Sequence, residues 1–590
     1  MDTEVTRREF HRLAAASALA IAARSATSAQ DQPAKAAGTL RLGLIGAGGR
    51  GTGLLGNTLA IVPNIVVLAI CDIVEASAKR AAGLVTGKGL PEPTLYTNGE
   101  LDWQNMLKRG DLDAVLIATP WHWHTPMGVG AMKAGVIPGI EVPCSLSVEE
   151  CWQLVDTSEK TGIQCMMMEN WSFRSDNLAL LNMVRKGIFG QIVHVHCAHS
   201  HDCIDHWFFD AQTGADRWPA QFLLKYNRDQ YPTHSLGPVL SWCDINCGDR
   251  FKSITSTATD EFGIRDMFIR RFGPDHPGAK RTYAQGDIVT SVIRTEMGKT
   301  VVVNYDLQLP RPYDNRWMLQ GTRGVYSEQR NALYVVGKSP QYHQWEPFPP
   351  YEKQYTHKWW AKGGVGDHGG VDGIMLRNFL EAVRNKQPLP IDVYDSVTMS
   401  AVVGLSGESI AAASKPIEFP DFTRGKWKTT KPKFALDDRD FAPPPAVTKT
   451  ANGLLSQTLL LGLPLPPVEL KGVEVKITGE PKQYSGWSMS GNEPHHCLFS
   501  ENDWGIEITV PKGSSGKVSV YAYAPDGQRR QTVAFCNRQP DALDDMTKGM
   551  WVEYPFTKED SAGGVLKIAV HKVEGANCVL SRLRIVIAPN

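Results

Sequence analysis

The chain has 590 residues, with 62 Lys plus Arg against 62 Asp plus Glu, 42% apolar and 21% charged side chains. That length exceeds what one hydrophobic core serves, so about two to four domains are expected. Balanced charge supplies no field that would draw the protein onto nucleic acid or an anionic membrane, and neither partner is expected.

Residues 1–30 read as an address. Arg7 and Arg8 precede the Ala-rich run Leu13 to Ala23, and small residues around Ala29 suit cleavage. The run is too short and too rich in alanine for a permanent membrane span. A twin-arginine signal implies a periplasmic or secreted protein that is exported folded, after a nucleotide can be acquired. Residues 31–39 form a small polar leader.

From residue 40 to about 165 apolar runs alternate with helical patterns: LRLGLIG, VVLAICD, DAVLIATP and IPGIEVP. Alternation of this kind predicts a doubly wound parallel sheet of the Rossmann type, with ligands at the carboxyl ends of its strands. The first strand runs into a G-x-G-x-x-G at Gly46, Gly48 and Gly51. Gly46 permits the tight turn, Gly48 lets backbone approach a pyrophosphate, and Gly51 lets the helix pack on the strand. Gly49 and Arg50 complete the turn. Asp72 closes the second strand, about 20 residues beyond the last glycine, where a carboxylate accepts from ribose hydroxyls and repels a 2'-phosphate. NAD is therefore the expected cofactor. Thr119 shapes the loop after the next strand, His124 opens the following helix towards the nicotinamide half, and Glu141 ends the fourth strand.

Residues 166–425 change character to longer alternating runs, QIVHVHCAH, SVIRTEM and TVVVNYDLQL, which predict an α+β domain with an open antiparallel sheet covering the nucleotide crevice. A helix over Ser396 to Ala413 is expected to return to the first domain. The Pro-, Lys- and Asp-rich stretch 426–470 reads as a linker or strap. Short, evenly spaced strands over 471–590 predict a C-terminal β-sandwich. The overall class is α/β followed by this all-β module.

Eleven cysteines, odd in number and without a C-x-x-C pair, exclude a zinc ribbon and read as buried thiols. The run His194, His196, His199, His201, Asp202, Asp205, His206 has metal-like composition, but a polar sheet face lining a sugar cavity explains it, and no metal ligand is assigned. Trp207, Trp218, Trp359 and Trp360 are candidates to stack on sugar faces, and Trp487, His495, His496 and Trp504 to form a carbohydrate face in the C-terminal module. Nothing in the sequence decides between a monomer and a homo-oligomer.

GLIGAGGRG, the Cys71-Asp72 pair, IATPWHWH and the Glu-x-Pro strand end together resemble the glucose-fructose oxidoreductase, inositol dehydrogenase and rhizopine catabolism superfamily (Gfo/Idh/MocA). Dehydrogenases of that superfamily usually have Glu-Lys-Pro; Val142 stands at the lysine position here, which weakens a simple polyol dehydrogenase reading. Further blocks, ECWQLVDTSEKTGIQCMMMEN, NMVRKGIFGQIVHVH, YPTHSLGP, INCGDRF, RPY and DHGGVD, resemble glycoside hydrolase family 109 over roughly 40 to 420. The resemblance implies α-N-acetylgalactosaminidase-like enzymes that hold NAD as a resident catalyst. It places Glu141 at the nicotinamide and Tyr231, His234, Tyr313 and His368 at the catalytic site, with a glycan as substrate. One departure is Phe173, where the family usually has an active-site tyrosine. The competing readings are an NAD-dependent sugar oxidoreductase and a non-catalytic carbohydrate-binding protein.

The chemistry suits those residue types. Removing hydride from sugar C3 acidifies the proton at C2, and a base can then expel the C1 substituent. Such a site needs His and Tyr as proton-transfer groups, and it does not need the paired carboxylates of ordinary glycosidases. Tyr231 and His234 are assigned to the C3 hydroxyl and the C2 proton, and His368 to orientation or leaving-group protonation.

Overall fold

A computed structural model describes residues 38–588, apart from 340–343, 440, 442–446, 450–453, 462–467, 488–493, 524–529, 537, 544–545, 547–548 and 575–577. The expected signal and most of the leader lie outside the described residues.

Six parallel strands, β1 (Leu40–Ile45), β2 (Ile65–Cys71), β3 (Thr94–Tyr96), β4 (Ala114–Ile117), β5 (Ile137–Ile140) and β6 (Met166–Met167), lie in the order β3-β2-β1-β4-β5-β6. Helices cover both faces, which is why these strands read as continuous apolar runs; Leu42, Leu44, Val115 and Leu116 have no exposed surface. The strand order reverses between β1 and β4, which remain parallel, and the crevice at that switch point is where such sheets hold ligands.

The second sheet has nine strands, β7 (Ile192–Ser200), β8 (Phe251–Ala258), β9 (Val289–Thr295), β10 (Thr300–Asp306), β11 (Met318–Gly321), β12 (Gly324–Ser327), β13 (Ala332–Val335), β14 (Glu346–Pro347) and β15 (Ile417–Glu418), in the order β14-β13-β12-β11-β7-β10-β9-β8-β15. It is not wholly antiparallel as the alternation predicts, because β10 pairs with β7 in parallel, Val301 opposite Val195. The long excursion through helices, β8 and β9 between these strands supplies the crossover that a parallel pair needs.

The helix Val393–Ala411 joins the two units, packing on the helix Val148–Thr161 and on β8. Ser396 Oγ accepts from Met167 N at 2.9 Å and Ser400 Oγ from Cys144 N at 3.2 Å, so the returning helix caps backbone groups of the first sheet. The following segment straps the second unit: Arg185 donates to the carbonyls of Phe434 and Ala435, each at 2.6 Å, and Trp427 is buried.

Thirteen further strands form a separate β-rich region. One antiparallel sheet has the order β16 (Val447–Lys449), β17 (Leu455–Leu460), β28 (Arg582–Ile587), β22 (Gly516–Ala522), β25 (Met550–Phe556). A second has β18 (Glu474–Thr478), β21 (Trp504–Thr509), β26 (Val565–Glu574), β23 (Arg530–Phe535), β24 (Asp541–Leu543), and β19 (Lys482–Trp487), β20 (Pro494–Ser500) and β27 (Cys578–Leu580) form a third. Val518, Val520, Leu583 and Ile585 of the first sheet share one core with Ile506, Ile508, Ile568 and Val570 of the second. The first sheet recruits strands from within 447–460, inside the stretch that composition alone reads as linker. Trp504 is buried in this core and presents no sugar-binding face. The side chains of Trp487, His495 and His496 lie outside the described residues.

A β-carbon on Gly51 would sit 1.8 Å from the Gly46 carbonyl oxygen, so the helix Gly49–Ile61 approaches the turn as closely as only glycine allows. Gly51→Ala should cost about 1–3 kcal/mol of stability through overpacking. We expect a lower melting temperature and loss of co-purifying nucleotide; an unchanged melting temperature with unchanged nucleotide content would show that the contact is not required.

Candidate active site

A cleft of about 830 Å³ opens at the switch point, lined on one side by the glycine turn and on the other by residues of the second unit. Gly46 has φ +89°, and a β-carbon there would meet the Ala118 carbonyl at 2.5 Å, so the turn itself demands glycine. In front of Gly48 and Gly49 there is open space for 4 Å. The helix Gly49–Ile61 has no side-chain cap and no acidic residue in its first turn, leaving its N–H groups and dipole directed at an anion. Asp72 Oδ2 accepts from Ala47 N at 2.6 Å and Oδ1 from Val74 N at 2.7 Å, which ties the end of β2 to the turn. Deeper in, the Asn170 side-chain oxygen is buried without a hydrogen-bond partner. Empty space over the glycines, uncapped N–H groups and an unpartnered acceptor suit the pyrophosphate and polar groups of a dinucleotide.

Arg50 extends from the turn to the floor of the cleft. Its Nε donates to Glu141 Oε1 at 2.7 Å and its Nη1 to Asp372 Oδ2 at 2.5 Å. Asp372 has no exposed side-chain surface, and it also accepts from Asn170 Nδ2 at 2.8 Å and pairs with His368 Nδ1 at 2.9 Å. Burial alone would raise the Asp372 pKa; the His368 hydrogen bond and the Arg50 guanidinium reverse this and hold it well below the usual carboxylate range. His368 is raised in turn, chiefly by its hydrogen bond to Asp372, against the opposing effect of burial. It sits at φ +52°, followed by Gly369 and Gly370 at φ +66° and +93°, a left-handed run that turns the chain into the helix Val371–Arg384. Gly370 is obligatory there, since a β-carbon would lie 2.4 Å from the Gly364 backbone.

A second histidine–carboxylate pair faces the same cleft. His234, at the start of the helix Thr233–Trp242, places Nδ1 2.7 Å from Glu169 Oε1, and its Nε2 lies 3.4 Å from Tyr231 Oη. Glu169 has no exposed surface and accepts from Ser172 N at 2.8 Å, Ser172 Oγ at 2.6 Å and Trp171 N at 3.0 Å. An acceptor so fixed selects the tautomer with the proton on Nδ1, leaving the His234 Nε2 lone pair towards the cleft. Gly237 makes this approach possible, because a β-carbon there would fall 1.9 Å from Glu169 Oε2. Tyr231, nine-tenths buried, packs against Trp121 and Trp207, and burial pushes its hydroxyl well above the usual phenol range.

Several expected residues take other positions. His124 borders the cleft, but its ring nitrogens lie 2.7 Å from the Pro143 and Thr119 carbonyls, so it shapes the loop and offers no free polar atom. Burial holds it below its usual pKa. Tyr313 is outside the cleft lining; its hydroxyl donates to Asn315 Oδ1 at 2.9 Å and lies 3.4 Å from His199 Nδ1. Phe173 is fully buried between Trp359 and Phe434, so its missing hydroxyl does not open onto the cleft. Trp171 stands instead beside His234, His368 and Tyr313, with ring centroids 5.6 to 6.0 Å away. Trp207 and Trp218 do line the cleft with Trp121, whereas Trp360 donates its Nε1 proton to the Phe173 carbonyl. Glu169, Asn170 and Asp372 escape a reading of motifs. Their signals are the end of β6 for the first two, and a position four beyond His368 for the third.

A nucleotide crevice faced by loops and helices of the second unit, with two histidine–carboxylate pairs at the junction, defines a nicotinamide-dependent enzyme of the NAD-binding oxidoreductase fold. Residues 40–169 match the oxidoreductase family with the NAD-binding Rossmann fold, and residues 173–429 match the glycosyl hydrolase 109 C-terminal domain. The chain is 40% identical over 469 residues to an alpha-N-acetylgalactosaminidase of Tannerella forsythia, covering 73% of this chain and 100% of that protein. It is also 40% identical over 436 residues to a glycosyl hydrolase family 109 protein of Parabacteroides distasonis, covering 70% and 93%. Among solved structures, an NAD binding oxidoreductase from Klebsiella pneumoniae and a levoglucosan dehydrogenase complexed with NADH and L-sorbose each superpose with a TM-score of 0.51. Identities are 16% and 19%, and each covers 65% of this chain and all of the other, which shows the shared fold. The chain belongs to glycosyl hydrolase family 109 and is an NAD-dependent glycosidase.

The Asp372 pair gives a signed pH prediction. A raised pKa means that His368 contributes stability fully below its unfolded value of about 6.5, and that this fades as the pH climbs through the folded-state value. In an NMR titration His368 should titrate above 6.5, and Asp372→Asn should move it down. Equal midpoints in the two proteins would refute the pairing.

Proposed function

We propose that the enzyme is exported and cleaves α-N-acetylgalactosaminides or related glycans by transient oxidation at C3, elimination across C1 and C2, water addition and re-reduction. The observation that carries this reading is the presence, within one cleft, of two histidine–carboxylate pairs, His234–Glu169 and His368–Asp372, beside a nucleotide turn. Resident NAD, when bound, supplies a hydride acceptor that returns what it takes, and Asp72 at the ribose position favours it over the 2'-phosphorylated form. Val142 at the position where polyol dehydrogenases carry lysine agrees with a cofactor used without net redox change.

Each side chain then has one task. Tyr231 Oη hydrogen-bonds and orients the C3 hydroxyl, whose proton leaves to solvent at the mouth of the cleft on oxidation, so that the His234 Nε2 lone pair remains for the C2 proton. His234 Nε2, oriented by Glu169, takes the C2 proton once a C3 ketone has acidified it. His368, its pKa raised by Asp372, protonates the departing C1 oxygen and afterwards receives a proton from the incoming water. Trp171 supplies an apolar surface between the two histidines, and Trp121, Trp207 and Trp218 form an aromatic wall. Export rests on Arg7 and Arg8 and the Ala-rich run after them, and folding before export would let the nucleotide travel inside the protein.

Purified enzyme incubated with aryl glycosides in deuterated water, without added NAD, should release aglycone and gain deuterium at C2 of the sugar. His234→Ala should lower the rate by about 10²–10⁴-fold, the contribution of a positioned base. Stoichiometric NADH without bond cleavage would select an oxidoreductase, inactivity across a broad panel a binding protein, and full activity in His234→Ala would remove that residue from the mechanism.

A further inference from the structure

The histidine-rich run does not behave as one face. His194 and His196 on β7 are taken up by Thr300 Oγ1 at 2.8 Å and Asn304 Oδ1 at 2.7 Å, contacts within the sheet. His199 is buried, and its neighbours His234 and His201 add to the effect of burial in holding it well below its usual pKa. Beyond the strand a different grouping appears, and it includes a residue that the sequence pattern passed over. One ligand atom each of His201, Cys203 and His206 lies within 4.8 Å of the other two.

The backbone holds these three together. His201 N donates to the Asp306 carbonyl at 2.9 Å and Cys203 N to the Leu307 carbonyl at 3.1 Å, fixing the start of the loop to the end of β10. A wide helical turn over Ile204–Phe208 then brings His206 back towards Cys203, with the Cys203 carbonyl accepting from Trp207 N at 3.0 Å. Wide turns of this kind concentrate at functional sites. No hydrogen bond engages the His201 ring or the Cys203 thiol among the described residues, although the first is half-buried and the second buried. Two uncommitted donors converging on a third are what a metal site offers before it is filled.

We propose that His201, Cys203 and His206 bind a zinc-class divalent cation with an open coordination position at the rim of the substrate cleft. Two imidazole nitrogens and one thiolate form a borderline-soft set that suits Zn²⁺ and disfavours Mg²⁺ or Ca²⁺. Asp205 Oδ1 lies 3.4 Å from His206 Nδ1, the carboxylate–histidine arrangement that orients a ligating ring. Asp202 and Asp205 bring negative charge to the loop, and Arg271 pairs with Asp205. Three protein donors leave a fourth position for water or a sugar hydroxyl. His206 lines the same cleft as Tyr231 and His234, so this position is on the glycan side. The inference rests on three side chains and stands whether or not the redox-elimination reading does.

Cobalt(II) makes the site visible without an activity assay. Full-length enzyme stripped with a chelator and titrated with Co²⁺ should take up one equivalent. It should develop a thiolate-to-cobalt charge-transfer band with tetrahedral ligand-field absorption, both abolished by Zn²⁺. Cys203→Ser should remove the charge-transfer band, and His206→Ala, at an exposed position, should weaken Co²⁺ binding by at least about tenfold. Absence of the band in the unaltered enzyme, its persistence in Cys203→Ser, or unchanged affinity in His206→Ala would overturn the assignment.

Discussion

A carboxylate with no exposed surface stays ionised only when cations and donors surround it, and Asp372 meets that condition by drawing together parts of the chain that are far apart in sequence. Arg50 comes from the glycine turn, Asn170 from the end of the first sheet, and His368 from the left-handed run before the helix whose first turn holds Asp372. Removing one partner of such a buried pair typically costs about 3–5 kcal/mol, so the arrangement is hard to relax. The same guanidinium holds Glu141 at the end of β5. Cofactor turn, cleft floor and one cleft-lining histidine are therefore parts of a single electrostatic unit.

The two histidines differ because their carboxylates differ. Asp372 is shared with an arginine yet still raises the His368 pKa through a direct hydrogen bond. Glu169 accepts from two backbone N–H groups and a serine hydroxyl and meets His234. Asp372 raises the pKa of one imidazole, and Glu169 fixes the other by its Nδ1 so that Nε2 faces the cleft. Elimination chemistry needs two proton-transfer groups, since a proton must leave C2 while another reaches the C1 oxygen.

The fold was legible where local sequence carries its own geometric demand. Gly46 and Gly51 could be assigned because a positive φ and a close helix approach each exclude a side chain, and the parallel sheet because its strands are apolar on both faces. The parallel pairing of β10 with β7 was not legible, since alternation reports which face is buried and says nothing of strand direction. Tyr231, His234 and His368 stood out as titratable residues in motifs. Glu169 and Asp372 did not, because a buried carboxylate earns its role from partners brought by tertiary structure. Phe173 misled in the opposite sense: a substitution visible in sequence lies in the core, while Trp171 two residues earlier meets the histidines.

The central claim is that the nucleotide is a resident catalyst that takes a hydride from the substrate and gives it back to the same molecule. A glycoside deuterated at C3, turned over by enzyme with no added nucleotide, tests this directly. The account predicts that the sugar product keeps its C3 deuterium through many turnovers while no reduced nucleotide accumulates. Loss of the C3 label to the bound nucleotide, with reduced nucleotide accumulating and a ketosugar as product, would contradict it.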